Sequence, residues 1–326
     1  MSIRSFPVLT PLEVVASRSV LAGGWKADMS DLRELDLRPA ILELIRRTTS
    51  RLPQDVIKAI VEGRNAEAEG SRGANAMDTM LENILLADEH MTPLCQDTGT
   101  VIFWARHPYG ASQRKLKAQI REAVAEATSR SWLRPNCVAA LSGKNPGTNL
   151  DPFGETHPVI HFEEWEHPAA EVSIMLKGGG CENVGAQYRL PDVSLRAGRD
   201  LEGVRRCVID AVVKAQGQGC APGILGICIG GDRVVGYERS KELLLRKVGS
   251  ENPDQGLAAL ENRLEEELNT LGIGPMGYGG RTTVLDVFIE ESWRHPASFF
   301  VSISYMCWSS RRMTLRIEQN GNVDFE

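Results

Sequence analysis

The run CQDTGTVIFWAR, residues 95–106, marks the point where the chain changes character. Cys95 to Gly99 form a polar, turn-prone stretch, and the β-branched and aromatic residues that follow predict a strand entered through that turn. Upstream, apolar residues recur at helical spacing. Leu37, Ile41, Leu42 and Ile45 share one face, Pro53 opens a second helix (DVIKAIVEGRNAEAEG), and Met77, Met80, Leu81, Ile84 and Leu85 line a third over about 73–89. Downstream come the strand-prone runs PVIHF, EVSIMLK, GILGICIGG, TTVLDVFIE and FFVSISYMCW, with helices predicted near 112–130, 201–216 and 256–271. Some runs are apolar throughout and others alternate, so the pattern leaves strand direction open. Glycine gathers between the strands. The expected fold is α+β, with an irregular leader over 1–30 broken by Pro7, Pro11 and Gly23-Gly24, a helical region over 31–90, and a mixed α/β body over 91–326.

At 326 residues, with 42% apolar and 25% charged side chains, the chain can bury a large core in one or two domains. Its 37 basic and 43 acidic residues leave a net charge of -6, which argues against a nucleic-acid partner. No apolar run approaches the ~18 residues that a membrane helix requires. The opening MSIRSFPVLTPLEVVASRSVLAGGW is too mixed in polarity for a signal-peptide core. The expectation is a soluble, cytoplasmic protein. Seven cysteines without an export signal point to metal ligation or nucleophilic chemistry rather than a disulfide framework.

Glycine-rich loops suggest a phosphate site, but no G-x-x-x-x-G-K-[ST] is present and no G-x-G-x-x-G follows the first strand. His157 and His161 flank Pro158 in an extended segment without an accompanying glutamate motif, and a zinc-pair reading is rejected. Cys207 lies on an apolar helical face and Cys228 inside an apolar strand, the setting of packing residues. Cys95, Cys220 and Cys307 each stand at the end of a predicted element, where a side chain can face a shared cleft. Their separations of 125 and 87 residues are not a compact metal motif, so spacing alone leaves three unrelated thiols as the alternative.

CQDTG at 95–99, KGGG at 177–180 followed by Cys181-Glu182-Asn183, GCAPGILGICIGG at 219–231, GPMGYGGRTT at 274–283 and the terminal MCWSSRR together resemble the class I, iron–sulfur fumarate hydratases. They resemble equally the α subunit of L(+)-tartrate dehydratase. The likeness runs in the family's order from about residue 30 to the C-terminus. It implies that Cys95, Cys220 and Cys307 hold a 4Fe–4S cluster in which one iron lacks a protein ligand. Such an iron acts as a Lewis acid on substrate oxygen, which suits reversible hydration of a four-carbon dicarboxylate.

By the same resemblance Gln96 and Asp97 contact substrate, with Asp97 supporting the base, and Thr98 faces the site beside them. Arg134 corresponds to the family's carboxylate-gripping arginine, whose planar fork can bind bidentately. Gly178, Gly179 and Gly180 would let backbone N–H groups approach an anionic substrate or cluster sulfur. His295, twelve residues before Cys307, matches the spacing of the family's active-site histidine and would serve as general acid. Three departures stand out: Pro296 follows that histidine in place of a small residue, Cys181 replaces a serine, and Ala221-Pro222 replaces Pro-Pro.

Single-chain members of the family carry a further C-terminal domain, whereas this sequence ends at RMTLRIEQNGNVDFE. The resemblance therefore implies the α half of a hetero-oligomer with a β subunit. Fumarate to (S)-malate is the first substrate pair expected and tartrate to oxaloacetate the second. An iron–sulfur sensor without catalysis is the alternative of another class, disfavoured by the presence of Gln96, Asp97, Thr98, Arg134 and His295.

Overall fold

The computed structural model describes residues 36–318 and 322–326; the leader expected over 1–30 lies outside them. Three helices come first: α1 (Arg38–Ser50), α2 (Gln54–Ala66) and α3 (Arg72–His90). Pro53 stands at the N-cap of α2. Ser71 caps α3 by accepting from Ala74 N at 3.0 Å.

The body alternates strands and helices in the order β1 (Thr100–Pro108), α4 (Gln113–Ser129), β2 (Val159–Trp165), β3 (Ala170–Lys177), α5 (Gly179–Asn183), β4 (Ala186–Arg189) and α6 (Leu201–Ala215). There follow β5 (Gly223–Gly230), α7 (Arg233–Glu242), α8 (Gln255–Asn269), β6 (Val284–Ser292), β7 (Phe300–Met306), β8 (Arg311–Ile317) and β9 (Val323–Phe325). Two sheets result. One has the order β2-β1-β3-β8-β9 and the other β4-β7-β5-β6. Only β1–β2 and β5–β6 run parallel; the remaining pairs are antiparallel. The α+β expectation holds.

Alternation within β1 shows how the layers stack. Val101, Phe103 and Ala105 join a core with Ile41, Leu44 and Ile45 of α1 and Ile120, Ala123 and Val124 of α4. Ile102 and Trp104 point the other way, into the core that also holds the four-stranded sheet, α2, α3, α6 and α8. At β1 and β3 the five-stranded sheet is thus buried on both faces, which is why TVIFWAR reads as a largely apolar run. Each fully buried Leu or Ile of these cores contributes about 1.5–3 kcal/mol. β5 is buried along its whole length between β7 and β6. Gly226 is required there, since an added Cβ would stand 2.0 Å from the Ser240 carbonyl oxygen.

Five elements depart from the sequence reading: α5, β4, α7, β8 and β9. β8 carries Arg311, Arg312 and Arg316 among its seven residues, so its strand pattern is hidden by charge, yet Arg311 and Arg312 are both buried. β9 is a three-residue edge strand. α7 has only Gly236 and Ser240 buried, and Asp232, which accepts from Val234 N and Val235 N, is its clearest start signal. Among the described residues no helix is long and apolar enough to cross a membrane.

Candidate functional site

The chain passes from one sheet to the other through residues 307–310, the link between β7 and β8. At that link Met306 is paired with Ile224 of β5 and Arg311 with Leu176 of β3, while Lys177 is paired with Thr100 of β1. Five strand ends therefore meet where Cys95, Cys220 and Cys307 leave or enter the sheets. Trp308 N donates to Cys220 O at 3.3 Å, and Met276 N donates to Ala221 O at 2.8 Å, fixing the loop of the second cysteine. Cys220 itself holds a left-handed backbone, φ 57°.

Cys95 and Cys220 are half-buried and Cys307 is buried. Burial raises the Cys220 thiol, and the proximity of Cys95, Cys181 and Asp97 reinforces the rise, so these groups lie near Cys220. Cys181 belongs to the same group. Its Sγ lies 3.8 Å from Lys177 Nζ and 3.1 Å from the Gly178 carbonyl oxygen. A hydrogen bond from Cys307, helped by the Lys177 ammonium, lowers the Cys181 thiol to about 6 against the effect of burial. The same contact, with burial, holds Cys307 well above the usual thiol range. Among the described residues no three His, Cys, Asp or Glu side chains are set to hold a single metal ion.

The rim beside the thiols is polar and open. Gln96, Asp97 and Arg134 are exposed. Asp97 accepts from Gly99 N at 3.0 Å and from Gly179 N at 2.6 Å, which pins the Cys95 loop to the end of β3. The Gly179 N–H is thereby engaged by protein rather than left for a ligand. An added Cβ at Gly178 would stand 3.0 Å from the same carboxylate. Thr98 lies beneath this rim. It is buried, and its hydroxyl accepts from Arg134 N at 3.0 Å and Asn136 Nδ2 at 3.1 Å, so it shapes the rim from beneath. Asn149 steadies the same segment, donating to Arg134 O at 2.7 Å and accepting from Asn136 N at 2.6 Å.

His295 is not brought to the thiols. It is exposed on the turn between β6 and β7, at the far end of β7 from Cys307. Seven extended residues separate the two ends, roughly 20 Å at ~3.3 Å per residue. Twelve residues of sequence separation that include a full strand give distance, not proximity. Within the described chain the structure therefore does not bring His295 and the three cysteines together.

Several residues of the site escaped the sequence reading. Lys177 is 1% exposed, donates to Tyr305 O at 2.6 Å and pairs with Glu182 at 3.2 Å. A lysine closing the apolar run EVSIMLK was its only signal. The Tyr305 ring packs on Gly219 and Gly223, where added Cβ atoms would stand 2.6 and 2.3 Å from it. Burial and the neighbouring Cys307, Cys181 and Cys220 thiols push its phenol up. Tyr305 Oη, Ser309 Oγ, Ser310 Oγ and Arg311 Nε and Nη1 are buried without a hydrogen-bond partner among the described residues. Soft sulfur donors beneath an open rim of amide, carboxylate and guanidinium can hold a thiophilic metal centre and bind a small anion beside it.

The fumarate hydratase (fumerase) family matches residues 38–316. A protein of Geobacillus stearothermophilus, provisionally named fumarate hydratase class I, is 46% identical over 287 residues; these make up 87% of this chain and 55% of the relative, so the chain spans about half of its length. A Methanocaldococcus jannaschii protein, provisionally named L(+)-tartrate dehydratase subunit alpha, is 36% identical over 294 residues, 89% of this chain and 100% of the relative. The L(+)-tartrate dehydratase subunit alpha of Escherichia coli K12 is 33% identical over 288 residues, 85% of this chain and 89% of the relative.

Proposed function

The chain belongs to the fumarate hydratase family, and from that premise we propose that residues 31–326 are the α-type part of an iron–sulfur hydro-lyase. It adds water to, or removes it from, a four-carbon dicarboxylate, fumarate and (S)-malate first. The observation that carries this reading is the meeting of Cys95, Cys220 and Cys307 at the junction of the two sheets, beside the exposed Gln96, Asp97 and Arg134.

The donor set supports a 4Fe–4S cluster on these three thiols. Sulfur ligands select iron–sulfur centres, and a multi-iron body suits thiols that are not arranged around one ion. Unpartnered buried donors at Tyr305, Ser309, Ser310 and Arg311 fit an acceptor-rich guest such as sulfide. When bound, the cluster supplies an iron without a protein ligand, a Lewis acid for the substrate's hydroxyl and carboxylate.

The chain's own residues supply position and charge. Arg134 uses one N–H on Gln96 O, at 3.4 Å, and its guanidinium grips a substrate carboxylate. Proton removal beside a carboxylate builds up a dianion, and a fixed cation stabilises it where that charge develops. Asp97, held by two backbone N–H groups, keeps a defined carboxylate at the rim to orient the group that moves the proton.

Two relatives named subunit alpha are covered over 100% and 89% of their lengths, which supports a separate β-type partner and keeps tartrate as the second substrate. A reducing compartment, the cytoplasm, suits seven free thiols. The test is anaerobic reconstitution with and without a β-type subunit, followed by a panel of malate, both tartrates and methyl-substituted analogues. The expected result is a coloured chain that turns over only with its partner. A colourless chain, or full turnover by the isolated chain, refutes the corresponding part.

A further inference from the structure

Arg311 carries a buried positive charge that no carboxylate pairs with among the described residues. It is 1% exposed. Its Nη2 donates to the backbone carbonyl of Asp97 at 2.8 Å, and its Nε and Nη1 have no partner among the described residues. The two comparable buried cations are neutralised. Arg312 pairs with Asp55, and Lys177 pairs with Glu182 at 3.2 Å. A desolvated, unpaired guanidinium costs several kcal/mol, so a folded chain that keeps one needs an anion beside it.

The position says which anion. Arg311 lies four residues after Cys307, contacts the residue two after Cys95, and is paired in the sheet with Leu176, next to Lys177 and Gly178. Tyr305, Ser309 and Ser310 add, on the same stretch of chain, three more buried hydroxyls without partners among the described residues. Nothing comparable surrounds the exposed Arg134. The unpaired charge sits with the thiols, not on the open rim.

We propose that Arg311 is the counter-charge and hydrogen-bond donor of the iron–sulfur centre, a positioning residue that sets its reduction potential and protects it from oxidative loss. The inference rests on the hydro-lyase reading above. Hydrogen bonds to cluster sulfur and nearby charge both raise a cluster's potential. Removing the cation therefore favours the more oxidised, more positively charged centre.

The test compares the wild-type chain with Arg311→Met and Arg311→Lys after anaerobic reconstitution. Iron and sulfide content, midpoint potential and the rate of bleaching in air are read for each. Arg311→Met should show a lower potential and bleach about tenfold faster, the factor of one lost charge-assisted contact. Arg311→Lys should hold the potential between the two. A variant that matches wild type in potential and bleaching overturns the proposal while leaving the hydro-lyase reading intact. A wild-type chain that takes up neither iron nor sulfide overturns both. Should Arg311→Met fail to fold, wild-type protein labelled with 15N-arginine and reduced gives a second reading. A 15N coupling to the paramagnetic cluster in pulsed EPR is expected, and its absence overturns the proposal.

Discussion

Arg311 Nη2 and the backbone carbonyl of Asp97 stand 2.8 Å apart, joining the first residue of β8 to the loop that follows Cys95. The Asp97 carboxylate in turn reaches Gly99 N and Gly179 N. One aspartate thus ties three strand ends together, through its carbonyl on one side and its carboxylate on the other. The sulfur atoms are held by the backbone that carries them, before any guest is bound.

That arrangement separates two kinds of cysteine. Cys95→Ser, Cys220→Ser and Cys307→Ser should each abolish iron and sulfide uptake. Cys207 and Cys228 are 0% exposed, and burial pushes their thiols up to about 12 and about 11. Alanine at either should leave metal content unchanged and cost about 1 kcal/mol of packing. Iron and acid-labile sulfide analysis of the five variants decides the matter, and loss of metal in Cys207→Ala would count against the assignment.

Asp97 bears on both structure and chemistry, and the two should separate by magnitude. Asp97→Ala loses two hydrogen bonds at an exposed position, where water can replace them. The expected cost is about 1–2 kcal/mol, read as a Tm lower by a few degrees. Hydratase kcat/KM, measured with the β-type partner present, should fall by about 100-fold or more. A loss of activity no larger than the loss of folded protein would reduce Asp97 to a brace.

How much of this was legible beforehand follows from what each residue signals. TVIFWAR, EVSIMLK and GILGICIGG could be read as strands because burial on both faces leaves unbroken apolar runs. β8 could not, because a strand whose buried residues include two arginines resembles a surface segment. Cys95, Cys220 and Cys307 were singled out by the motifs around them, and the structure sets them near one another. Lys177 and Arg311 were not, since their importance lies in being buried, and burial of a cation is a tertiary property. His295 matched in spacing, and the intervening strand β7 places it at the other end of the sheet from Cys307.

A second acidic group lies apart from the thiols. Glu265 faces a cleft of about 630 Å³ between α2, α8 and residues 280–285, with Glu62 and Glu266 in the same lining. Burial, then Asp286, Glu266 and Glu62, push its carboxyl from 4.5 up to about 7. The folded state therefore keeps a proton that the unfolded chain has released. The contribution of this group to stability is full below pH ~4.5 and is lost as pH rises through about 7. Glu265→Gln should match wild type at pH 5 and exceed it at pH 8 by about 1 kcal/mol after solvent screening, ~2–4 °C in Tm. Parallel melting curves across that range would contradict the burial of this charge.

Gly99 tests how closely β1 and β3 must approach beneath the rim. Its φ is +82°, and an added Cβ would stand 2.7–2.9 Å from the backbone C, O and N of Lys177. Neither the conformation nor the contact can relax cheaply, because Lys177 is paired with Thr100 in the sheet and anchored on Tyr305 O. Gly99→Ala should therefore cost roughly 3–4 kcal/mol, combining left-handed strain with overpacking. Gly143 is the control: its φ is +65°, with nothing within 4 Å of the added Cβ. Gly143→Ala should cost only about 1 kcal/mol, from backbone strain alone. Urea midpoints of the two variants separate the terms. If Gly99→Ala proves no costlier than Gly143→Ala, β1 and β3 are free to move apart, and the Asp97 bonds to Gly99 and Gly179 cannot be what sets the position of Cys95.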